Sequence, residues 1–136
     1  MAVRAFTVLI PVAANGSTPY GARIVKWTGL LNGDTGAPYV SPQATKTSVH
    51  VYGTPGATPH LLIQGTNEQT YDPTPTALAA PDYQTLHDAQ GVALDLTAAG
   101  IKEIMENTTG IRPNVTGGDG TTTWTVVLCE MSTGRL

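Results

Sequence analysis

Thr121-Thr122-Thr123-Trp124-Thr125-Val126-Val127-Leu128-Cys129-Glu130-Met131 decides the fold class of this chain. Trp124, Val126 and Leu128 fall on one side of an extended backbone, and Thr125, Val127 and Cys129 on the other. A period of two in β-branched and aromatic residues is the signature of a strand with one face on a core. The flexible run Gly117-Gly118-Asp119-Gly120 precedes it and marks a turn.

Working outward, the same period recurs. In Lys46 to Tyr52, Thr47, Val49 and Val51 oppose Lys46, Ser48, His50 and Tyr52. Gly53-Thr54-Pro55-Gly56 turns the chain, and His60 to Gln64 returns with Leu61 and Ile63 on one face. The two segments read as a hairpin or meander. Arg23 to Leu31 sets Val25 and Trp27 against Ile24, Lys26 and Thr28, and the turn run Asn32-Gly33-Asp34-Thr35-Gly36 follows. Val3 to Ile10 is strand-like and stopped by Pro11, and residues 13 to 22 read as a loop or extended arm. Tyr83 to Asp88, Val92 to Leu96 and Gly110 to Thr116 add short strands. Pro113 points to an edge position or a bulge in the last of these. Thr66 to Pro81 is irregular and reads as a surface loop suited to contacts. Residues 97 to 106 are the one helical candidate: Thr97 stands at the N-cap and Ile101, Ile104 and Met105 share a face. The expected fold is therefore all-β, a jelly-roll-like β-sandwich of about eight strands with one short helix. Residues 1–22 form an N-terminal strand or arm and loop, and residues 23–136 the sandwich domain.

Composition bounds the function. The 136 residues are 40% apolar and only 12% charged, with a net charge of −3. A chain of this size buries roughly two-thirds of its unfolded surface and needs no metal or disulfide staple. No run of Lys or Arg exists, so nucleic acid is not an expected partner. Two explanations for so little charge stand side by side: a surface covered by other subunits, or a neutral, Thr-rich one. Cys129 is the only cysteine, which excludes an intrachain disulfide. No apolar stretch is long enough to cross a bilayer as a helix, and no signal-like segment opens the chain, so folding in a cytoplasm without a membrane partner is expected.

Catalytic patterns are absent. His50, His60 and His87 lack a second ligand at metal spacing, although His50 and His60 would face each other across the expected hairpin. No serine sits in a nucleophile elbow. Cys129 lies in a strand pattern where cysteine acts as a small apolar residue. Asp34 and Asp119 occupy turns, where Asp bonds its own backbone. Glu103 and Glu106 fall on the exposed side of the helical candidate. The glycine-rich turns lack the alternating carboxylates of a calcium loop and the helix and lysine of a phosphate loop. The expectation is no catalytic residue, cofactor, metal or small-molecule substrate. Trp124 belongs to the core. Tyr20, Tyr39 and Tyr71 fall in loops and, with Phe6 and Val8 of the first strand, are the candidate subunit contacts.

Three groups of residues carry a resemblance. Trp27-Thr28-Gly29-Leu30 precedes Asn32-Gly33-Asp34-Thr35-Gly36-Ala37-Pro38. Ser48-Val49-His50-Val51-Tyr52-Gly53-Thr54 is followed by Ile63-Gln64-Gly65-Thr66-Asn67-Glu68. Ile111-Arg112-Pro113 precedes Val115-Thr116-Gly117-Gly118-Asp119-Gly120-Thr121-Thr122. In this order, from about Trp27 to Cys129, the chain resembles small capsid cement or decoration proteins of tailed bacteriophages. The resemblance implies a jelly-roll-like protein on the capsid exterior of the virion, assembled in the host cytoplasm. It implies the major capsid protein as partner, self-association as a homodimer or homotrimer, and no catalytic residue. A strand-like arm, Val3 to Ile10, would suit strand addition to a neighbour. The alternatives are a tail or fibre component and a carbohydrate-binding β-sandwich displayed on the virion.

Overall fold

Alternating apolar residues can bury one face of a sheet only against a second apolar layer. The computed structural model meets this requirement with two packed sheets, and describes residues 2–9, 22–40, 46–68 and 81–131. The described strands are β1 (Val3–Arg4), β2 (Phe6–Leu9), β3 (Ala22–Leu31), β4 (Thr35–Gly36), β5 (Tyr39–Val40) and β6 (Lys46–Thr54). They continue with β7 (His60–Thr66), β8 (Gln84–Thr85), β9 (Asp95–Leu96), β10 (Gly100–Ile104), β11 (Gly110–Gly117) and β12 (Thr123–Met131). The seven-stranded sheet runs β1-β4-β11-β7-β8, with β5 also on β11 and β9 also on β7; the five-stranded sheet runs β10-β6-β12-β3-β2. The protein is an all-β sandwich of two sheets.

The core is the set of inward residues read from the period of two. Val25, Trp27, Val49, Val51, Trp124, Val126 and Leu128 of one sheet are buried against Leu61, Ile63, Ile111 and Val115 of the other. Two tryptophans fill the centre, both with no exposed surface. The Trp27 indole N–H donates to Ala37 O at 3.0 Å. Gly36 makes room for it: a Cβ there would lie 2.7 Å from Trp27 Nε1 and 2.5 Å from Pro113 Cδ.

Several expectations are corrected. No helix forms among the described residues; residues 100 to 104 of the helical candidate are β10, antiparallel to β6. A helix this short is marginal alone, and Gly100 with β-branched Ile101 and Ile104 weakens it further. The edge of β6 offers instead a full row of backbone partners. Ile104 then turns inward and is buried, while Ile101 turns outward. Strands β6 and β7 are not a hairpin: they lie in different sheets, so residues 55–59 cross from one layer to the other. His50 and His60 are therefore not opposed. Strand β11 is central and not an edge, lying between β7 and the β4/β5 side. Pro113 is tolerated because that side is interrupted there, with β5 pairing Ile111 and β4 pairing Asn114. A bulge follows between Val115 and Gly117.

The N-terminal stretch, expected as a strand or an arm suited to addition to a neighbour, forms strands that are paired into both sheets. Strand β1 runs parallel to β4, and β2 antiparallel to β3. Tyr39, expected in a loop at a subunit contact, lies in β5 and is buried. Cys129 faces the outside of the five-stranded sheet and is half-buried, not a core residue.

Candidate interaction surface

The two outer faces of the sandwich differ in chemistry. On the seven-stranded sheet the centre of the outward face is polar and its side chains are tied to one another, with Leu62 among them and Val3, 71% exposed, at the β1 edge of the same face. Thr35 Oγ1 bonds Asn114 Oδ1 at 3.2 Å. Arg112 Nε and Asn114 Nδ2 both donate to Gln64 Oε1, at 3.1 and 3.4 Å. The Arg112 guanidinium also stacks 3.8 Å from the centre of the Tyr83 ring, a cation–π contact. Burial raises the Tyr83 phenol pKa, while the Arg112 charge opposes the shift. Nearby, His60 Nδ1 meets both Asp95 oxygens at 3.0 Å.

On the five-stranded sheet, strand register lines up two outward rows. One runs Glu103, Ser48, Cys129, Ile24, Leu9; the next runs Ile101, His50, Val127, Lys26, Thr7. Tyr52 extends the second row's neighbourhood, its ring 5.2 Å from that of His50. Leu9 is 51% exposed and Ile101 65%, Tyr52 is also exposed, and Ile24, Val127 and Cys129 are half-buried. Apolar side chains thus reach solvent from all five strands. Glu103, Ser48, His50, Lys26 and Thr7 stand between them, so the face mixes apolar and polar side chains, a composition suited to a protein contact.

The ionisable groups elsewhere hold the fold. Asp34 is buried and accepts from Leu31 N–H at 2.9 Å, Arg4 Nε at 2.8 Å and Ala2 N–H at 3.1 Å. Burial pushes its carboxyl up, but these donors outweigh that and hold it below the usual carboxylate range. Glu130, buried beside Arg23 and Tyr39, closes one end of the core, where Arg23 donates to Tyr39 Oη at 3.2 Å. Burial raises the Tyr39 phenol pKa, partly countered by Arg23 and reinforced by Glu130. Glu106 accepts from the His87 backbone N–H at 2.8 Å and lies 2.6 Å from His87 Nδ1. Burial would raise its pKa; the His87 hydrogen bonds lower it overall. The Thr121 hydroxyl and the backbone N–H groups of Ala57 and Thr121 hold Asp119 low.

Among the described residues no group of three His, Cys, Asp or Glu side chains could hold a metal ion. An open groove of about 350 Å³ lies between β10 and residues 88–99, walled by Val51, Leu94, Leu96 and Lys102. Its two carboxylates are engaged, Asp88 with the N–H groups of Gln90 and Val92 and Asp95 with His60. Among the described residues no helix is long and apolar enough to cross a membrane.

The sequence-predicted contact residues separate. Phe6 is partly buried, edge-on to Trp27 at 5.7 Å and Tyr39 at 5.5 Å, so it seals the core margin. Val8 is 46% exposed at the sheet edge. Tyr39 is core, and Tyr20 and Tyr71 lie outside the described residues. The apolar outer face was missed as a site, although Val127 and Cys129 in outward positions of the opening stretch were its signal. No family model matches the chain, and no curated protein or solved structure matches it.

Proposed function

We propose that this chain is a structural protein of a tailed-bacteriophage virion, a cement protein that seats the outer face of its five-stranded sheet on the capsid shell. The observation that supports the docking role is the outer face of the five-stranded sheet, where Leu9, Tyr52 and Ile101 on three different strands reach solvent without being tied to one another, whereas the centre of the opposite face is knitted by polar bonds. The phage assignment rests on the resemblance from Trp27 to Cys129. A cement protein acts by mass action: binding the assembled shell and not its free subunits stabilises the shell. Repetition over a symmetric lattice turns weak contacts into avidity.

A sugar-binding sandwich is less well supported. It would expose a cluster of aromatics, whereas Trp27, Trp124 and Tyr39 are buried and Tyr83 lies under Arg112.

The test is binding to purified, expanded heads that lack decoration. The chain should co-sediment with them and raise their disruption temperature. Ile101→Lys and Tyr52→Lys should weaken binding at least tenfold, about 1.4 kcal/mol or more, while Asn114→Ala on the opposite face leaves it unchanged. Equal binding by all variants, or electron microscopy of the native particle tracing the chain in the tail, overturns the reading.

A further inference from the structure

One inner row of the five-stranded sheet ends very differently at its two edges. Register aligns Lys102, Val49, Leu128, Val25 and Val8 across the five strands. Val49, Leu128 and Val25 are fully buried. At the β10 edge the row ends in Lys102, with Glu103 beside it. Inward-pointing charge at an edge discourages another strand from adding there. At the β2 edge the row ends in Val8. That strand, Phe6-Thr7-Val8-Leu9, has no charge, Pro or Gly, and its register with β3 has no bulge. Among the described residues no strand pairs with its outer side. Val8 points to the core side of the sheet, as Val25 does, yet is nearly half exposed.

We infer that the outer edge of β2 pairs, antiparallel, with β2 of a second copy of this chain, joining two five-stranded sheets across a two-fold axis. This inference concerns the isolated protein and does not rest on the capsid reading.

A second copy fits this edge for three reasons. First, directly opposed residues of an antiparallel pair share a face, and a two-fold perpendicular to the sheet preserves faces. The axis must then pass through a residue position, either Thr7 or Val8. Both registers cover Val8, and only the Val8-centred one keeps Leu9 within the strand, opposite Thr7 of the second copy. Second, that pairing is self-complementary: Val8 meets Val8, and each Thr7 meets a Leu9. Third, no like charges are forced together. The nearest charge on the outer face, Lys26, sits one strand back from the edge. The two ammonium groups are then three strand spacings apart, about 14 Å, beyond the screening length of about 8 Å at physiological salt. The ladder is short and buries less than a standard interface of about 1,600 Å², so the dimer is a weak one, to be sought at on the order of 100 µM chain.

Sedimentation of the full chain at that concentration should give twice the 14.2 kDa chain mass. Val8→Lys should return it to the monomer, with a melting temperature equal to wild type at dilutions where the wild type is also monomeric. As a second reading, opposed Cα atoms in such a ladder lie about 4.5–5.5 Å apart, within disulfide reach. In a Cys129→Ser background, Val8→Cys should therefore cross-link to a dimer on mild oxidation, and Lys102→Cys at the other edge should not. A monomer that fails to cross-link through position 8, a dimer that survives Val8→Lys, or equal cross-linking at both edges overturns the inference.

Discussion

Replacing Asp34 by Ala is expected to be the most damaging single change outside the apolar core. The Asp34 carboxylate joins three pieces of backbone: the β3–β4 turn through Leu31 N–H, the chain terminus through Ala2 N–H, and β1 through Arg4. Its side chain is 5% exposed, whereas that of Arg4 is 40% exposed. Removal leaves two backbone donors without their acceptor in a nearly closed site, at about 1 kcal/mol or more each. The part-exposed Arg4 pair adds only about 0.5 kcal/mol. The loss should be about 3 kcal/mol, which for a chain of this length lowers the melting temperature by about 10 °C. Thermal unfolding followed by circular dichroism at pH 7 measures it. The pH dependence supplies a second check. The folded carboxyl titrates below its unfolded value of about 3.9. Its contribution is therefore complete above that value and is lost as pH falls through the lower folded value. The gap between the wild type and Asp34→Ala should be constant from pH 7 to about 5 and narrow below about 4. A melting temperature within about 2 °C of wild type at pH 7, or a gap unchanged down to about pH 2, would refute the reasoning.

Three further outcomes are expected. Trp27→Phe should cost about 1 kcal/mol more than Trp124→Phe, because the first strands the Ala37 carbonyl while the Trp124 indole N–H has no partner among the described residues; equal losses in urea unfolding would contradict this. Gly53→Ala should destabilise by more than 2 kcal/mol, about the upper range for backbone strain, since Gly53 has φ +136° and a Cβ there would run into the Thr123 carbonyl. A calorimetric melting point equal to wild type would exclude it. Glu106→Gln should cost about 1 kcal/mol at pH 7 by weakening the tie to His87. Because the Glu106 pKa is lowered in the fold, that cost should vanish as pH drops below about 4, and a cost that persists there would show that the carboxylate is not its source.

The distribution of Trp124, Val126 and Leu128 against Thr125, Val127 and Cys129 was legible because side chains alternate along any strand, whatever lies beside it. The same held for Thr47, Val49 and Val51 in β6, and for Leu61 and Ile63 in β7. Strand β10 was misread because Ile101, Ile104 and Met105 also match a helical spacing. What decided against the helix was the open edge of β6, which lies about fifty residues earlier in the chain. Pro113 looked like an edge marker because its neighbours in space, β4 and β5, meet β11 on either side of it.

The candidate surface followed the same division. Which residues of β12 and β6 point away from the core was readable from their alternation. That Leu9, Ile24, Cys129, Val127 and Ile101 form neighbouring rows depends on register between strands far apart in sequence. The sequence by itself determined an all-β chain, the buried position of Trp124 and the lack of a catalytic pattern in the residue order, since these depend on residue type and local period. Only the tertiary structure decided which sheet each strand joins, that the N-terminal strand is built into the sandwich, and which side chains of distant strands share an outer face. Those features come from long-range pairing, and hydrogen bonds between distant backbones carry no local signature of their partners.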